Sequence, residues 1–158
     1  MRRLTPAARV WIAALAAAAA AFCAVVVVAP IAQASGWVVG SWVRLALSPT
    51  CHQIADRCLD LGSGPLPVCA RCAGLYAGGF LGLAISAVGG ATVRPTLRWL
   101  AIAAAPSVVD FALGLVDLPT LSNWPRFAVA VVPGLLFGLL VADAVAEVVS
   151  DSRRDNVE

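Results

Sequence analysis

The sequence predicts an all-α integral membrane protein, a bundle of four transmembrane helices with a Cys/His-rich extracytoplasmic loop. Of the 158 residues, 61% are hydrophobic and only 13% are charged, which is more apolar surface than a soluble domain of this length buries. The apolar residues fall into four long stretches that are separated by short polar segments. We therefore expect a single membrane domain over residues 1–158.

The predicted transmembrane spans cover approximately residues 10–32, 73–91, 99–116 and 127–149. The first span has 23 residues without a charge, enough to cross a hydrocarbon core about 30 Å thick. The arginines before it and Ala32-Gln33-Ala34 at its end are also typical of a signal peptide with its cleavage site. We favour a retained helix because the apolar run is longer than the core of a usual signal peptide.

A shorter apolar segment, residues 36–48, follows the first span. It contains Trp37 and Trp42, and tryptophan side chains favour the boundary between lipid and water. We predict a helix that lies in this interface, with a re-entrant or continued helix as the alternative.

Small residues recur at every fourth position in the second and fourth predicted spans. This spacing places them on one helix face, where they allow another backbone to approach closely in lipid. We predict that the two helices pack against each other along these stripes. The stripes are Gly74, Gly78, Gly82, Ser86 and Gly90 in the second span and Ala130, Gly134, Gly138, Ala142 and Ala146 in the fourth.

The distribution of arginine predicts the orientation in the membrane. Seven arginines lie on the side of the two termini and four on the other side. Because short cytoplasmic segments carry an excess of basic residues, we expect cytoplasmic N- and C-termini in the cell (plasma) membrane. The expected partner is the lipid bilayer, and a protein partner or a homo-oligomer is compatible with the sequence. No nucleic-acid partner is expected, because the net charge is only +2 and no basic cluster is present.

Local patterns in the Cys/His-rich loop, residues 49–72, predict where two helices begin. Thr50 followed by Gln53 fits a capping box, so a helix is expected from residue 51 to about 61. Pro67 suits the lead-in to a second helix that begins near Cys69. Within a helix the Cα atoms of residues 51 and 58 would be about 10 Å apart, too far for a disulfide.

The loop also holds the residues with the richest chemistry in the chain. Cys51, His52, Cys69 and Cys72 are candidate metal ligands, and we favour a site for a zinc or iron ion. Because an adjacent Cys and His rarely both reach one ion, three protein ligands and a water form one version of this site. A membrane thiol-disulfide oxidoreductase that uses the CxxC motif is the first alternative. An accessory structural subunit with disulfide staples is the second, and no catalytic residue is assigned.

Asp110 lies within the third predicted span, roughly 10 Å below its outer end. A carboxylate at this depth is costly unless it is paired. We predict a salt bridge with Arg126 first and Arg71 second. Tyr76 and Asn123 are candidates for the same polar network.

Several short motifs lie between residues 48 and 140. They are Cys51-His52-Gln53 with Arg57, the run Leu66–Gly78 containing C-A-R-C-A-G-L-Y, Pro106 with Asp110, Ser122-Asn123 with Arg126, and Gly134 with Gly138. Together these motifs resemble those of a family of small polytopic prokaryotic membrane proteins of unknown function. The resemblance implies a membrane protein and brings no activity with it.

The chain departs from the pattern of that family at two positions. Pro133 stands where the family usually has Thr, and Cys58 stands where it often has Ser. The second departure implies that Cys58 is outside the ligand set.

Overall fold

The computed structural model describes residues 2–116 and 118–155. Within them the chain forms five α-helices: α1 (Pro6–Ala34), α2 (Val38–Leu47), α3 (Ala70–Gly89), α4 (Leu97–Leu115) and α5 (Asn123–Asp155). All except α2 are long and apolar enough to cross a membrane. The predicted all-α bundle with four transmembrane helices is thus confirmed, and each of the four helices begins a few residues before the predicted span.

Four short strands lie outside the helices: β1 (Arg2–Arg3) before α1, and β2 (Cys58–Asp60), β3 (Pro65–Cys69) and β4 (Ala91–Thr92) in the connections. Strand β1 pairs antiparallel with β4. Strand β2 pairs antiparallel with β3, with Cys58 opposite Cys69. The sequence patterns did not indicate these strands, since each is only two to five residues long.

The N-terminal segment and the C-terminal part of α5 lie at the same end of the bundle. Arg9 at the start of α1 donates from Nε to the carbonyl oxygen of Ala87 at 2.8 Å. Arg94 lies 3.6 Å from the Glu147 carboxylate of α5. Residues 49–72 lie at the opposite end, which we call the cysteine end.

Helices α3 and α5 form the central packing of the bundle. A Cβ atom at Gly78 would lie only 2.2 Å from the carbonyl oxygen of Val131, and one at Gly134 would lie 2.4 Å from that of Leu75. The two backbones are therefore in direct contact, and the predicted packing of the small-residue stripes is confirmed. Gly90 is the exception: it ends α3 in the left-handed conformation, with φ 63°, and is not part of the contact face.

Helix α4 is peripheral. Asp110 is its single fully buried residue among those described, and large apolar side chains such as Leu97 and Leu115 are exposed. In a bilayer these side chains would contact lipid. The position of α4 therefore depends on few contacts, and those of Asp110 are prominent among them.

The predicted helix over residues 36–48 is present as α2. It follows a turn at Gly36, which has φ 78°, and packs closely on α1, since a Cβ at Gly40 would lie 2.5 Å from the Ala29 carbonyl oxygen. Trp37 and Trp42 are both exposed. Its location in the membrane interface stays a prediction.

The predicted helix over residues 51–61 is wrong. Residues 51–54 are irregular, one 3₁₀ turn follows at Ala55–Arg57, and the chain then enters β2. The Thr50 hydroxyl donates to the Leu47 carbonyl oxygen at 3.0 Å instead of capping a new helix. Gln53 has φ 52°, and its side-chain amide donates to the Arg44 carbonyl oxygen at 2.6 Å. Contacts with α2 thus replace the expected capping box.

The absence of this helix affects two further predictions for the loop. Pro67 lies inside β3 rather than in front of a helix, although α3 does begin directly after Cys69, as predicted. The expected distance of about 10 Å between the Cα atoms of residues 51 and 58 no longer applies, because the intervening chain is not helical.

Candidate metal centre

Three cysteine side chains from separate parts of the loop converge at the cysteine end. Cys51 follows α2, where its N–H donates to the Leu47 carbonyl oxygen at 3.1 Å. Cys69 ends β3 and is the N-cap residue of α3, and Cys72 lies in the first turn of that helix. The three sulfur atoms all lie within 4.8 Å of one another. We call Cys51, Cys69 and Cys72 the thiol cluster.

Hydrogen bonds connect the members of the thiol cluster. The backbone N–H of Cys69 donates to the Cys51 sulfur at 3.1 Å. The sulfur atoms of Cys69 and Cys72 lie 3.5 Å apart, well beyond the S–S bond length of about 2.05 Å. All five cysteines of the chain have free thiols.

The pKa values of Cys69 and Cys58 are shifted in opposite directions. The hydrogen bond from the Cys72 thiol is the largest cause that lowers the pKa of Cys69 to about 5, with further bonds from Cys51 and the backbone. Burial, followed by the charges of Cys51 and Cys69, raises the pKa of Cys58 to about 11. The Cys58 thiol lies 3.2 Å from the Ile54 carbonyl oxygen, to which it donates. Cys58 is therefore protonated near neutral pH.

The low pKa of Cys69 predicts its reactivity in the metal-free protein. Because the thiolate is the reacting form, alkylation of Cys69 should stay fast from pH 9 down to about pH 5 and slow below it. The same ionisation stabilises the fold fully above the ordinary pKa of 9.0, and this stabilisation is lost as the pH falls through about 5. Site-resolved mass spectrometry after timed alkylation measures the profile.

A matched variant tests the cause of this shift. Cys72→Ala removes the principal hydrogen bond to the Cys69 sulfur, so the midpoint of the profile should move up toward 9.0. A midpoint above pH 8 in the unaltered chain would contradict the assignment.

His52 is not brought together with the sulfur atoms. Its side chain is exposed, and it is outside the group of ligand atoms that lie within 4.8 Å of one another. It does line the cleft beside the thiol cluster.

That cleft has a volume of about 510 Å³ and lies between the loop and helices α3, α4 and α5. The thiol cluster, Arg71 and Arg126 line it, and so do Arg57 and Phe111. The last two were not among the sequence candidates. The sequence pointed to Arg57 only as the arginine that accompanies Cys51-His52-Gln53, without a role at the site. Nothing in the sequence distinguishes Phe111 from other apolar residues.

The Asp110 carboxylate is surrounded by donors from three directions. Arg71 of α3 and Arg126 of α5 both form ion pairs with Oδ2, the latter from Nε at 2.9 Å. The Leu121 N–H donates to Oδ1 at 2.7 Å. Asp110 is 3% exposed and the Arg126 side chain 6%. This network therefore joins α3, α4 and α5 through buried charges.

Asn123 extends the network into the loop. Its amide donates to the carbonyl oxygens of Cys58 at 2.9 Å and Asp56 at 3.0 Å, and its Oδ1 accepts from Arg126 Nη1 at 3.2 Å. No hydrogen bond joins Tyr76 to Asp110 or to these arginines in the part of the chain that the structure describes. The Tyr76 ring instead packs edge-on against Phe22, with the ring centroids 5.0 Å apart.

The fold and the site together define a multi-pass membrane protein with a three-thiol cluster at one end of a four-helix bundle. A family model described as "Predicted membrane protein (DUF2085)" matches residues 51–142, more than half of the chain. The chain belongs to this family of predicted membrane proteins. No curated protein and no solved structure matches it.

The matched region begins at Cys51 and contains the whole thiol cluster, Asp110 and Arg126. The resemblance to a membrane-protein family is confirmed at this level. The family description names no ligand and no reaction.

Proposed function

We propose that the thiol cluster binds one zinc or iron ion at the cysteine end of the bundle. The supporting observation is that three thiols from two distant parts of the sequence lie within 4.8 Å of one another. A tetrahedral zinc ion with Zn–S distances of about 2.3 Å sets its sulfur ligands about 3.8 Å apart. Side-chain movements of about 1 Å therefore suffice to close the cluster around an ion.

The surroundings of the cluster suit thiolate ligands. The N–H of Cys69 donates to the Cys51 sulfur, the kind of outer contact that orients and stabilises a metal ligand. Three thiolates and a divalent ion carry a net charge of −1. The guanidinium of Arg71 lines the same cleft and offsets this charge.

Three protein ligands leave a fourth coordination position, which would face the cleft. Zinc sites that bind or transform ligands keep such a position for water. We assign it to water, because His52, the fourth ligand that the sequence suggested, would first have to turn from its exposed position. The site is then accessible to a small ligand rather than closed.

Metal analysis of the full chain purified in mild detergent tests this function. We expect one ion per chain, and its loss in each of Cys51→Ser, Cys69→Ser and Cys72→Ser. Cys23→Ser and Cys58→Ser are matched controls that should retain the ion, since neither thiol belongs to the cluster. His52→Ala should retain it as well if water is the fourth ligand. Stoichiometric metal in the Cys69→Ser/Cys72→Ser double variant would refute the proposal.

Thiol-disulfide exchange is the second candidate function. Its support is the 3.5 Å separation of the Cys69 and Cys72 sulfur atoms at the start of a helix, which favours a thiolate. Oxidation of this pair to a disulfide would transfer two electrons and two protons to an acceptor disulfide or a quinone. Metal-free protein whose Cys72→Ser variant traps a mixed disulfide at Cys69 would favour this function over metal binding.

We place the thiol cluster on the extracytoplasmic side of the plasma membrane. The arginine distribution supports this orientation. Modification of Cys69 in intact cells by a membrane-impermeant thiol reagent would also support this orientation. Labelling only after the membrane is opened would place the thiol cluster on the cytoplasmic side instead.

A further inference from the structure

The cleft beside the thiol cluster has an apolar neighbour within the bundle. A second cavity of about 280 Å³ lies between α3, α4 and α5. It shares Arg71, Leu75 and Phe111 with the first cavity. The two cavities are therefore adjacent along α4, and we call them together the α4 groove.

The mouth of the α4 groove is positively charged. Arg57, Arg71 and Arg126 line it, and Asp110 supplies one negative charge to the last two. Arg57 is exposed and forms no ion pair with any residue that the structure describes. The thiol cluster contributes one more negative charge, either as the Cys69 thiolate or as three thiolates around a divalent ion, so a surplus of about one positive charge remains.

One donor in this mouth is also unused. Arg71 pairs with Asp110 through Nη2, whereas its Nε is buried and has no hydrogen-bond partner. A buried donor without a partner is unfavourable unless a ligand or water satisfies it. Arg71 therefore has a donor that its pair with Asp110 does not use.

The deeper half of the groove is apolar and open to the side. Leu75, Val108 and Phe111 line it, and the last two are more than half exposed on the outward face of α4. Ser107 also lines it, with an unpartnered hydroxyl. A molecule can therefore enter this half directly from the hydrocarbon region of a bilayer.

We propose that the α4 groove binds an anionic phospholipid, with the phosphate at Arg57 and Arg71 and one acyl chain along Leu75, Val108 and Phe111. Guanidinium groups match the geometry of phosphate oxygens, and the apolar half explains why the phosphate belongs to a lipid. The proposal goes beyond metal binding and does not require an ion at the thiol cluster.

Binding of phosphatidylglycerol to the full chain in a nonionic detergent tests this site, with phosphatidylcholine and inorganic phosphate as comparison ligands. Arg57→Gln should weaken phosphatidylglycerol binding about tenfold or more, because a charge-assisted contact is lost. Arg98→Gln is the matched control: it removes an exposed arginine from the opposite end of α4 and should leave binding unchanged. Ser107→Leu should also weaken binding, because the larger side chain fills the apolar half.

Each arm of the experiment has a contrary outcome. Equal affinity in the Arg57→Gln variant and the unaltered chain would overturn the proposal, and so would equal affinity in the Ser107→Leu variant. Inorganic phosphate that competes as well as the lipid would assign the mouth to a soluble anion instead. The metal-free Cys69→Ser/Cys72→Ser variant should still bind phosphatidylglycerol, so failure of this site is distinguishable from failure of the metal centre.

Discussion

Replacing Gly78 by leucine should separate α3 from α5 and leave little folded protein. A Cβ at this position would lie 2.2 Å from the Val131 carbonyl oxygen and 2.7 Å from the Leu135 nitrogen. Backbone atoms cannot move aside as a flexible side chain can, so the helices have to part. Even Gly78→Ala should destabilise the fold by about 1–3 kcal/mol. The fraction of monodisperse protein in detergent and its thermal midpoint measure both effects.

Gly89 provides the control on the same helix. A Cβ there would have no neighbour within 4 Å, so Gly89→Ala should be neutral or stabilise by up to about 1 kcal/mol. If Gly78→Ala and Gly89→Ala had the same stability, close packing of α3 on α5 would not be what holds the bundle together.

Asp110→Asn should destabilise the chain by about 3–5 kcal/mol. The substitution removes the charge that pairs with Arg71 and Arg126 and leaves two largely buried guanidinium groups uncompensated. It also weakens the bond from the Leu121 N–H. Denaturant titration in detergent measures the loss of stability. Hydrogen exchange should show that α4 loosens first, since it has few other buried contacts.

Asp151→Asn is the matched control, because this carboxylate is exposed near the end of α5. The free energy of unfolding of the Asp151→Asn variant should stay within about 0.5 kcal/mol of that of the unaltered chain. An Asp110→Asn variant as stable as Asp151→Asn would show that the ion pairs do not hold α4 in place.

The bundle was predictable because hydrocarbon imposes simple rules. A span needs a long apolar run, close helix packing needs small residues at every fourth position, and a buried acid needs a cation. The stripe containing Gly78 and Gly134 and the arginines around Asp110 follow these rules. None of them depends on details of the connecting chain.

The loop was not predictable because contacts distant in sequence decide its shape. The pair Thr50 and Gln53 has the residue types of a capping box, but Gln53 binds the Arg44 carbonyl oxygen of α2 instead. Asn123 of α5 holds the carbonyl oxygen of Cys58 at the start of β2. Neighbouring side chains in non-helical chain commonly point in different directions, and His52 accordingly lies apart from Cys51.

The Asp110–Arg126 pair has a consequence for biosynthesis. When α4 leaves the ribosome, Arg71 of α3 is the one pairing arginine already made, and an acid within a span that lacks full compensation opposes insertion by up to about 3 kcal/mol. Arg126 follows as soon as the next few residues are made, because α5 begins at Asn123. The two segments can then neutralise each other while both are still at the translocon. We expect α4 and α5 to enter the membrane together as a helical hairpin, so that α4 is inserted only after the start of α5 has been made.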